Sequence, residues 1–511
     1  MTAGLSSQLL ESLLTPGRIV VSLLVFTVTS FIVDFTWKPR YPSSLPRVGF
    51  GGGLIGSVRN WVGYLNHFNS WVEEGYEKVC ASASALSLSH TDSAVDVVDR
   101  QYTKNDRAYV VPSAPSRPQE IVVPRSQTAW LLEFPDRVVS AKEAHADLMH
   151  SHFQFLKTDD TFPIMTLHKH LARNLVGLLP GIQDDVHESI DAVFGTDTEN
   201  WKTANLWEAW LGIVPRVTNR VLVGEATCRN EAFVKSQVAI ADAIVRNSFI
   251  LNMFPKILHP ALSWFVATPH WWTWRKSFAM IRPLIEQRQR DMERKSAGDA
   301  AYATWEPEEC LVTWMIRQAQ MDGCADQLKP ALISRSLLPI EFAAIHTTVI
   351  TGHNLLLDLL SADSEQGCLD VLRQEANRVF AEQETGYWTK DGLSRLHKID
   401  SAIKESMRLS HFATALTHRK VVAKEGITNT KEGWHAPYGS YLMLDLAGTH
   451  HDPDIYPEPY RYDPFRFSKV KEEFEARPHE KAAEESLQIK RLGMVTTSET
   501  YLPFSHGRHA W

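Results

Sequence analysis

Hydrophobic residues are most concentrated near the N-terminus of the chain. The stretch from Ile19 to Trp37 is apolar apart from its hydroxyl groups and Asp34. As a helix it would be about 28 Å long, which is close to the hydrocarbon thickness of a bilayer. The pattern therefore predicts one transmembrane helix at residues 19–37, after a short flank at 1–18. A cleaved signal peptide is the alternative, although the region has neither an early basic segment nor a clear small-residue cleavage site.

The residues that flank this stretch indicate how the rest of the chain is placed. Lys38 and Arg40 follow it, whereas Glu11 and Arg18 precede it, so positive charge is slightly biased toward the C-terminal side. This bias predicts a single-pass topology with the body of the protein in the cytosol. Prolines fix φ and restrict the residues before them. Because residues 38–53 contain three prolines and end in glycines, they predict a stiff hinge.

The body of the chain shows long helical patterns with short breaks. Helical spacing of apolar residues is clearest at Asp185–Val193 and Phe233–Ile250. Breaks are predicted at Pro180-Gly181 and Pro269-His270. The strand-like runs are short and lie at Tyr109–Val111 and Tyr441–Leu444. These patterns predict a fold that is mostly α with a small β portion.

Two further segments have an unusual composition. The stretch Pro260–Trp274 is rich in tryptophan, which favours membrane interfaces, so it indicates either a membrane-touching surface or burial in the core. The stretch Lys469–Gly493 is highly charged and predicts a solvated insertion or an exposed helix.

Overall composition narrows the function classes. The 511 residues are 44% hydrophobic and 22% charged, with a net charge of −7. Nucleic-acid-binding proteins usually carry a basic excess, so this balance argues against that class. The five cysteines lack the C-x-x-C spacing of metal or redox sites and are interpreted as small buried residues in a reducing compartment.

An E-x-x-R pattern is the first candidate for a functional cluster. Glu405 and Arg408 are three residues apart in a helical pattern, so they share a helix face and can pair. The alternative is an exposed ion pair worth less than about 1 kcal/mol. An aromatic-Pro-x-Arg-Phe segment, Tyr462–Phe467, follows downstream and supplies another arginine, Arg466.

Three more motifs complete an ordered set. They are Phe342–Thr348, the run His450–Pro453 with Tyr456–Pro459, and the C-terminal string Tyr501–Ala510. Together with the E-x-x-R pattern and the Tyr462–Phe467 segment, these motifs make five. Their order along the chain, from Phe342 to Ala510, resembles that of the cytochrome P-450 family, particularly its fungal, membrane-bound, ent-kaurene-oxidase-like members. The resemblance implies a cytochrome P-450 fold, with a single haem monooxygenase domain at 54–511 behind the transmembrane helix.

The resemblance also implies roles for individual residues. Glu405, Arg408 and Arg466 would form a structural trio beneath haem b. The haem propionates would be held by His509, by Arg419 and by an early-helix donor, for which His168 is the candidate and Arg173 a second one. The alternative for each propionate donor is a solvated cation.

Oxygen activation needs protons to reach the reaction centre while bulk water stays out. The family commonly places an acid before a threonine in its central helix, and here the pair is His346-Thr347. An imidazole can relay protons near neutral pH, so His346 and Thr347 are the candidate catalytic residues. The alternative for His346 is a packed or solvated histidine.

The partners follow from the same resemblance. No strand-to-helix G-x-G-x-x-G unit stands out, so electrons are expected from a separate NADPH-dependent reductase. The expected substrate is a lipophilic secondary metabolite, and the clade-like motifs favour a terpenoid. The expected location is the endoplasmic reticulum membrane.

Trp511 occupies the position at which the family has its haem-ligating cysteine. An indole offers an N–H donor and no lone pair for a metal, so no metal ligand can be assigned. Three explanations stay open: an inactive truncated relic, a gene-model error, or a haem-free membrane-anchored binding protein. The gene-model error is preferred, because a cysteine codon split after TG by an intron that starts GTAA would be misread as tryptophan and stop.

Overall fold

The computed structural model describes residues 16–76, 103–104, 106–156, 158, 160–413, 417–476, 489 and 492–509. Within these ranges the chain forms sixteen α-helices and seven strands. The helices are α1 (Pro16–Trp37), α2 (Gly53–Tyr76), α3 (Thr128–Glu133), α4 (Ala141–Leu148), α5 (Phe162–Phe194), α6 (Leu206–Val223), α7 (Glu225–Cys228), α8 (Glu231–Asn252), α9 (His259–Ser296), α10 (Leu311–Met321), α11 (Pro330–Gln366), α12 (Cys368–Ala381), α13 (Lys390–Ser394), α14 (His397–Leu409), α15 (Leu446–His450) and α16 (Arg466–Ala476). The strands are β1 (Tyr109–Val111), β2 (Glu120–Val123), β3 (Val139–Ser140), β4 (Arg419–Val421), β5 (Ile427–Asn429), β6 (Trp434–Ala436) and β7 (Tyr441–Leu444).

Helix α1 contains the apolar N-terminal stretch and is docked on the body. Residues Val20–Trp37 are long and apolar enough to cross a membrane, with a mean hydropathy of 1.9. The rings of Phe31 and Phe35 lie 5.6 and 6.3 Å from the Trp61 ring of α2. Lys38 lies 5.2 Å above the same ring. The end of α1 is therefore packed against α2.

The strands form a small mixed sheet beside the helices. Its order is β1-β2-β7-β4-β3, and only the pairing of β2 with β7 is parallel. β5 and β6 form a separate antiparallel pair. The bounds of β1 and β7 coincide with the two predicted strand-like runs. The prediction of a mostly α protein with a small β portion is confirmed.

The long helix α11 lies at the centre of the helical body and contacts α6, α8, α9 and α14. Leu338 and Phe342 of α11 share a hydrophobic cluster with Ile240 and Ile244 of α8 and with Trp274 of α9. Fully burying a side chain of this kind contributes about 1.5–3 kcal/mol. These contacts fix α11, which carries the His346-Thr347 pair.

The predicted helix breaks at Pro180-Gly181 and Pro269-His270 are wrong. α5 continues through Pro180, and α9 continues through Pro269. A proline removes one helical hydrogen bond and disfavours the helix interior. Here buried neighbours such as Leu178 and Ala267 anchor both helices in the core, so tertiary packing outweighs the local preference.

Candidate functional site

The three residues Glu405, Arg408 and Arg466 meet in the structure. Arg408 Nε and Nη2 each donate to a carboxylate oxygen of Glu405, and both distances are 2.8 Å. Arg466 Nε, from the start of α16, donates to Glu405 Oε1 over 3.0 Å. The side chains of Glu405 and Arg408 are fully buried. The geometry is therefore that of a buried carboxylate network and not of an exposed ion pair.

Arg408 also reaches the chain beyond α14. Its Nη1 donates to the main-chain oxygens of His450, at 2.6 Å, and of Pro459, at 2.7 Å. Its guanidinium lies 5.0 Å from the centre of the Tyr456 ring. The single arginine thus ties α14 to α15 and to the segment that leads into α16.

His450 continues this connection to the C-terminal loop, residues 501–509. The N–H of Leu502 donates to His450 Nε2 over 2.8 Å, and the His450 ring stacks on Tyr501 with centroids 5.6 Å apart. Burial, with the nearby charge of Arg408, holds the pKa of His450 well below its usual range, so the ring is neutral. Sequence reasoning noted the motif around His450 but not this role, because a bond to a main-chain N–H leaves no residue-type signal.

The C-terminal loop turns sharply and approaches α3. Ser505 and Gly507 both have positive φ, at 62° and 78°. A Cβ on Gly507 would lie 3.3 Å from Leu132 Cδ1, so glycine allows the loop to approach α3. Arg508 Nη2 donates to the main-chain oxygen of Phe134 over 2.9 Å. The backbone of His509 belongs to the short 3-10 helix Gly507–His509.

Parts of the predicted site cannot be placed. The His509 side chain and residues 510–511, including Trp511, lie outside the described residues. Their predicted roles stay predictions.

Arg419 is a buried cation next to the loop. Its side chain is 3% exposed, and its Nη1 donates to the main-chain oxygen of His418 over 3.0 Å. Its Nη2 is buried and has no hydrogen-bond partner among the described residues. Burial lowers the pKa of Arg419 to about 10; the charge of Asp136 opposes this shift and that of Arg508 adds to it. An unused donor on a buried guanidinium fits an anionic group such as a haem propionate.

His168 is not brought together with Arg419. It is exposed on α5, and its side chain forms no hydrogen bond or ion pair with another residue in the described part of the chain. Its neighbours Leu167 and Leu171 pack in the cluster that contains Trp314 of α10.

The central-helix pair lies in the middle of α11. Thr347 Oγ1 donates to the main-chain oxygen of Ala343 over 2.6 Å. His346 Nε2 lies 2.9 Å from Asp242 Oδ1 of α8. Asp242 was missed by sequence reasoning, because it is 104 residues away and belongs to no motif.

Arg408 and Arg466 thus surround the buried Glu405 carboxylate, and Arg408 is linked through His450 to the C-terminal loop. The Cytochrome P-450 family model matches residues 140–510. The chain belongs to this family, and the predicted membership is confirmed.

Similar proteins agree with this assignment. The cytochrome P-450 monooxygenase gloP of Glarea lozoyensis is 27% identical over 97% of this chain and 86% of its own length. The monooxygenase htyF of Aspergillus rugulosus is 29% identical over 97% of this chain and 69% of its own. The monooxygenase pbrC of Penicillium brasilianum is 28% identical over 80% and 74%. These relatives are fungal cytochrome P-450 monooxygenases.

The fold has a counterpart among solved structures. The retinoic-acid-bound cyanobacterial CYP120A1 superposes with a TM-score of 0.52 at 15% identity, covering 79% of both chains. The predicted cytochrome P-450 fold is confirmed.

Proposed function

We propose that the functional protein is a membrane-anchored haem-thiolate monooxygenase. It inserts one oxygen atom from O₂ into a lipophilic secondary metabolite, for which a terpenoid is favoured. Its electrons come from a separate NADPH-dependent reductase. Haem b would supply the oxygen chemistry when bound, with a cysteine thiolate as a ligand of its iron.

The observation that carries this proposal is the unused Nη2 of Arg419. A buried donor without a partner costs free energy, and a carboxylate of a bound cofactor would satisfy it. Arg419 and His509 are proposed to hold the propionates, because Arg508, next to His509 in the loop, is close enough for its charge to act on the buried Arg419. The role of His168 as a propionate donor stays a prediction, and no contact of its side chain supports it.

The residues of this chain have two further proposed tasks. Glu405, Arg408 and Arg466 hold the segment that leads to the loop, through His450 and Leu502. His346 and Thr347 of α11 are proposed to deliver protons to the reaction centre.

Residue 511 decides whether this exact sequence can act. The indole of Trp511 cannot supply a thiolate ligand for iron. We propose that the functional protein has a cysteine at this position. A haem-free binding protein is the second candidate, because an indole has no lone pair for a metal.

Exposed apolar residues favour a membrane location. On α9, Trp264, Phe265 and Trp272 are exposed, so the tryptophan-rich stretch has a solvent-facing side. The 3-10 helix Lys256–Leu258, just before α9, contacts α1. Ile55 of α2, the helix on which α1 packs, is also exposed. These surfaces support the proposed single-pass anchoring in the endoplasmic reticulum membrane.

The test compares the Trp511 protein with a Trp511→Cys variant, both expressed with haem supplied. We expect the reduced, carbon-monoxide-treated variant to show thiolate-type absorbance and the Trp511 protein not to show it. An Arg419→Gln change in the variant should lower the haem-to-protein ratio, whereas Arg373→Gln, which alters an exposed cation of α12, should not. Folded Trp511→Cys protein that takes up no haem would overturn the enzyme proposal and favour the binding protein. Transcript sequencing across codon 511 shows separately which residue this codon encodes.

A further inference from the structure

A histidine–aspartate pair joins α11 to α8 at the position proposed for proton delivery. His346 Nε2 and Asp242 Oδ1 are 2.9 Å apart. The Asp242 side chain is 58% exposed, whereas that of His346 is 14% exposed. One member of the pair therefore meets solvent, and the other lies mostly inside the protein.

The second ring nitrogen of His346, Nδ1, is buried and lacks a hydrogen-bond partner among the described residues. The Phe342 ring, one helical turn earlier, lies 6.3 Å from the imidazole and belongs to the cluster between α8, α9 and α11. The adjacent Thr347 donates its hydroxyl hydrogen to Ala343, so its oxygen lone pairs remain free to accept. A buried polar atom without a partner costs free energy, which points to a function for Nδ1.

We infer that Asp242 is a positioning residue that makes His346 a proton carrier between solvent and the protein interior beside Thr347. This inference rests on the proposed monooxygenase function and adds a residue to it. The Asp242 carboxylate orients the ring by accepting the Nε2 hydrogen, which leaves Nδ1 as the nitrogen that gains and loses a proton.

The transfer balances with one proton. A hydronium ion at the exposed Asp242 carboxylate is the proton source and becomes water. Rotation of the neutral ring about its Cβ–Cγ bond turns Nδ1 toward solvent, where Nδ1 accepts the proton. Rotation back restores the hydrogen bond from Nε2 to Asp242, and the imidazolium then releases the Nδ1 proton to an interior oxygen and keeps the Nε2 proton.

The test uses four full-length variants of the haem-binding form: Asp242→Asn, Asp242→Glu, His346→Gln and a matched control, Glu231→Gln. Glu231 is also an exposed carboxylate of α8, but it pairs with Lys235 and not with His346. Unfolding temperatures within a few degrees of the parent establish that each variant folds.

The first readout does not need haem. In protein labelled with ¹⁵N-histidine, the signal lost in His346→Gln identifies His346, and its nitrogen shifts report which nitrogen carries the proton. We expect the proton on Nε2 in the parent, in Asp242→Glu and in Glu231→Gln, and a tautomer mixture in Asp242→Asn.

The second readout is the rate at which dithionite-reduced protein is reoxidised by O₂, in H₂O and in D₂O. Asp242→Asn should slow it by about tenfold, less than the 10²–10⁴ of a proton-transfer group itself, with Asp242→Glu restoring it. Failure to load haem would overturn the proposed function while leaving the tautomer result readable. If haem loads but Asp242→Asn matches Glu231→Gln in both readouts, the inference about Asp242 is wrong and the proposed function stands.

Discussion

Arg408 and His450 are joined through the main chain: the guanidinium donates to the carbonyl oxygen of His450 over 2.6 Å. The ring of the same histidine accepts the N–H of Leu502. A charge in α14 is thereby linked to the start of the C-terminal loop through one intervening residue.

Replacing His450 should weaken the loop more than the rest of the fold. His450→Ala leaves the buried Leu502 N–H without an acceptor and removes the stack on Tyr501, so we expect a loss of about 1–3 kcal/mol in the free energy of unfolding. Urea unfolding measures this loss, and limited proteolysis shows whether cleavage near residue 502 increases. His435→Ala, at an exposed histidine of β6, should change the stability by less than about 0.5 kcal/mol; equal effects of the two changes would contradict the role of His450.

Breaking the Glu405 network should cost far more than breaking an exposed pair. Arg408→Ala leaves a fully buried carboxylate without its bidentate partner, and we expect a loss of about 3–5 kcal/mol or failure to fold. Arg373→Ala breaks the exposed pair with Asp370 and should cost less than about 1 kcal/mol. Thermal unfolding of both variants checks the difference. A loss below about 1 kcal/mol for Arg408→Ala would show that the network is dispensable.

His411 should make the protein less stable in mild acid. Burial lowers the pKa of His411 to about 4, compared with about 6.5 in an unfolded chain. The unfolded state therefore binds more protons in this window, and the stability from His411 is present above pH 6.5 and is lost as the pH falls toward 4.

Denaturant titrations at pH 7.5 and 5.0 test this sign. The stability of His411→Gln relative to the parent should improve at the lower pH, at a rate of up to about 1.4 kcal/mol per pH unit. His435→Gln, at an exposed site, provides the comparison and should show no such change. A His411→Gln difference that does not vary with pH would refute the expectation.

Gly507 should tolerate a side chain less well than another glycine with a similar φ. Gly507 and Gly433 have φ of 78° and 73°, so alanine at either site costs about 1–2 kcal/mol. A Cβ on Gly433 meets nothing within 4 Å, whereas on Gly507 it meets Leu132. We expect Gly507→Ala to be the more destabilising change, measured by thermal unfolding, and to lower haem uptake where Gly433→Ala does not. Indistinguishable variants would mean that the loop has room to shift.

Local patterns predicted much of the fold. The runs at 109–111 and 441–444 have the bounds of β1 and β7, because short apolar runs between turn residues leave few alternatives. The proline breaks were wrong, since buried neighbours such as Leu178 decide whether a helix continues.

The site was less accessible to sequence reasoning. Glu405 and Arg408 share a helix face by spacing alone, but Asp242 with His346 and Leu502 with His450 are 104 and 52 residues apart. Such contacts depend on how helices pack, and the partner in each case is either a residue outside any motif or a main-chain atom. The unused Nη2 of Arg419 likewise becomes visible only when its surroundings are known.

The docking of α1 on Trp61 has a practical consequence for anyone who wishes to make a soluble derivative. Deleting residues 1–37 would remove Phe31 and Phe35, which pack against the Trp61 ring. The apolar surface exposed by this deletion would favour aggregation. A truncation that begins just before Phe31 retains Phe31 and Phe35 and removes most of the apolar helix α1.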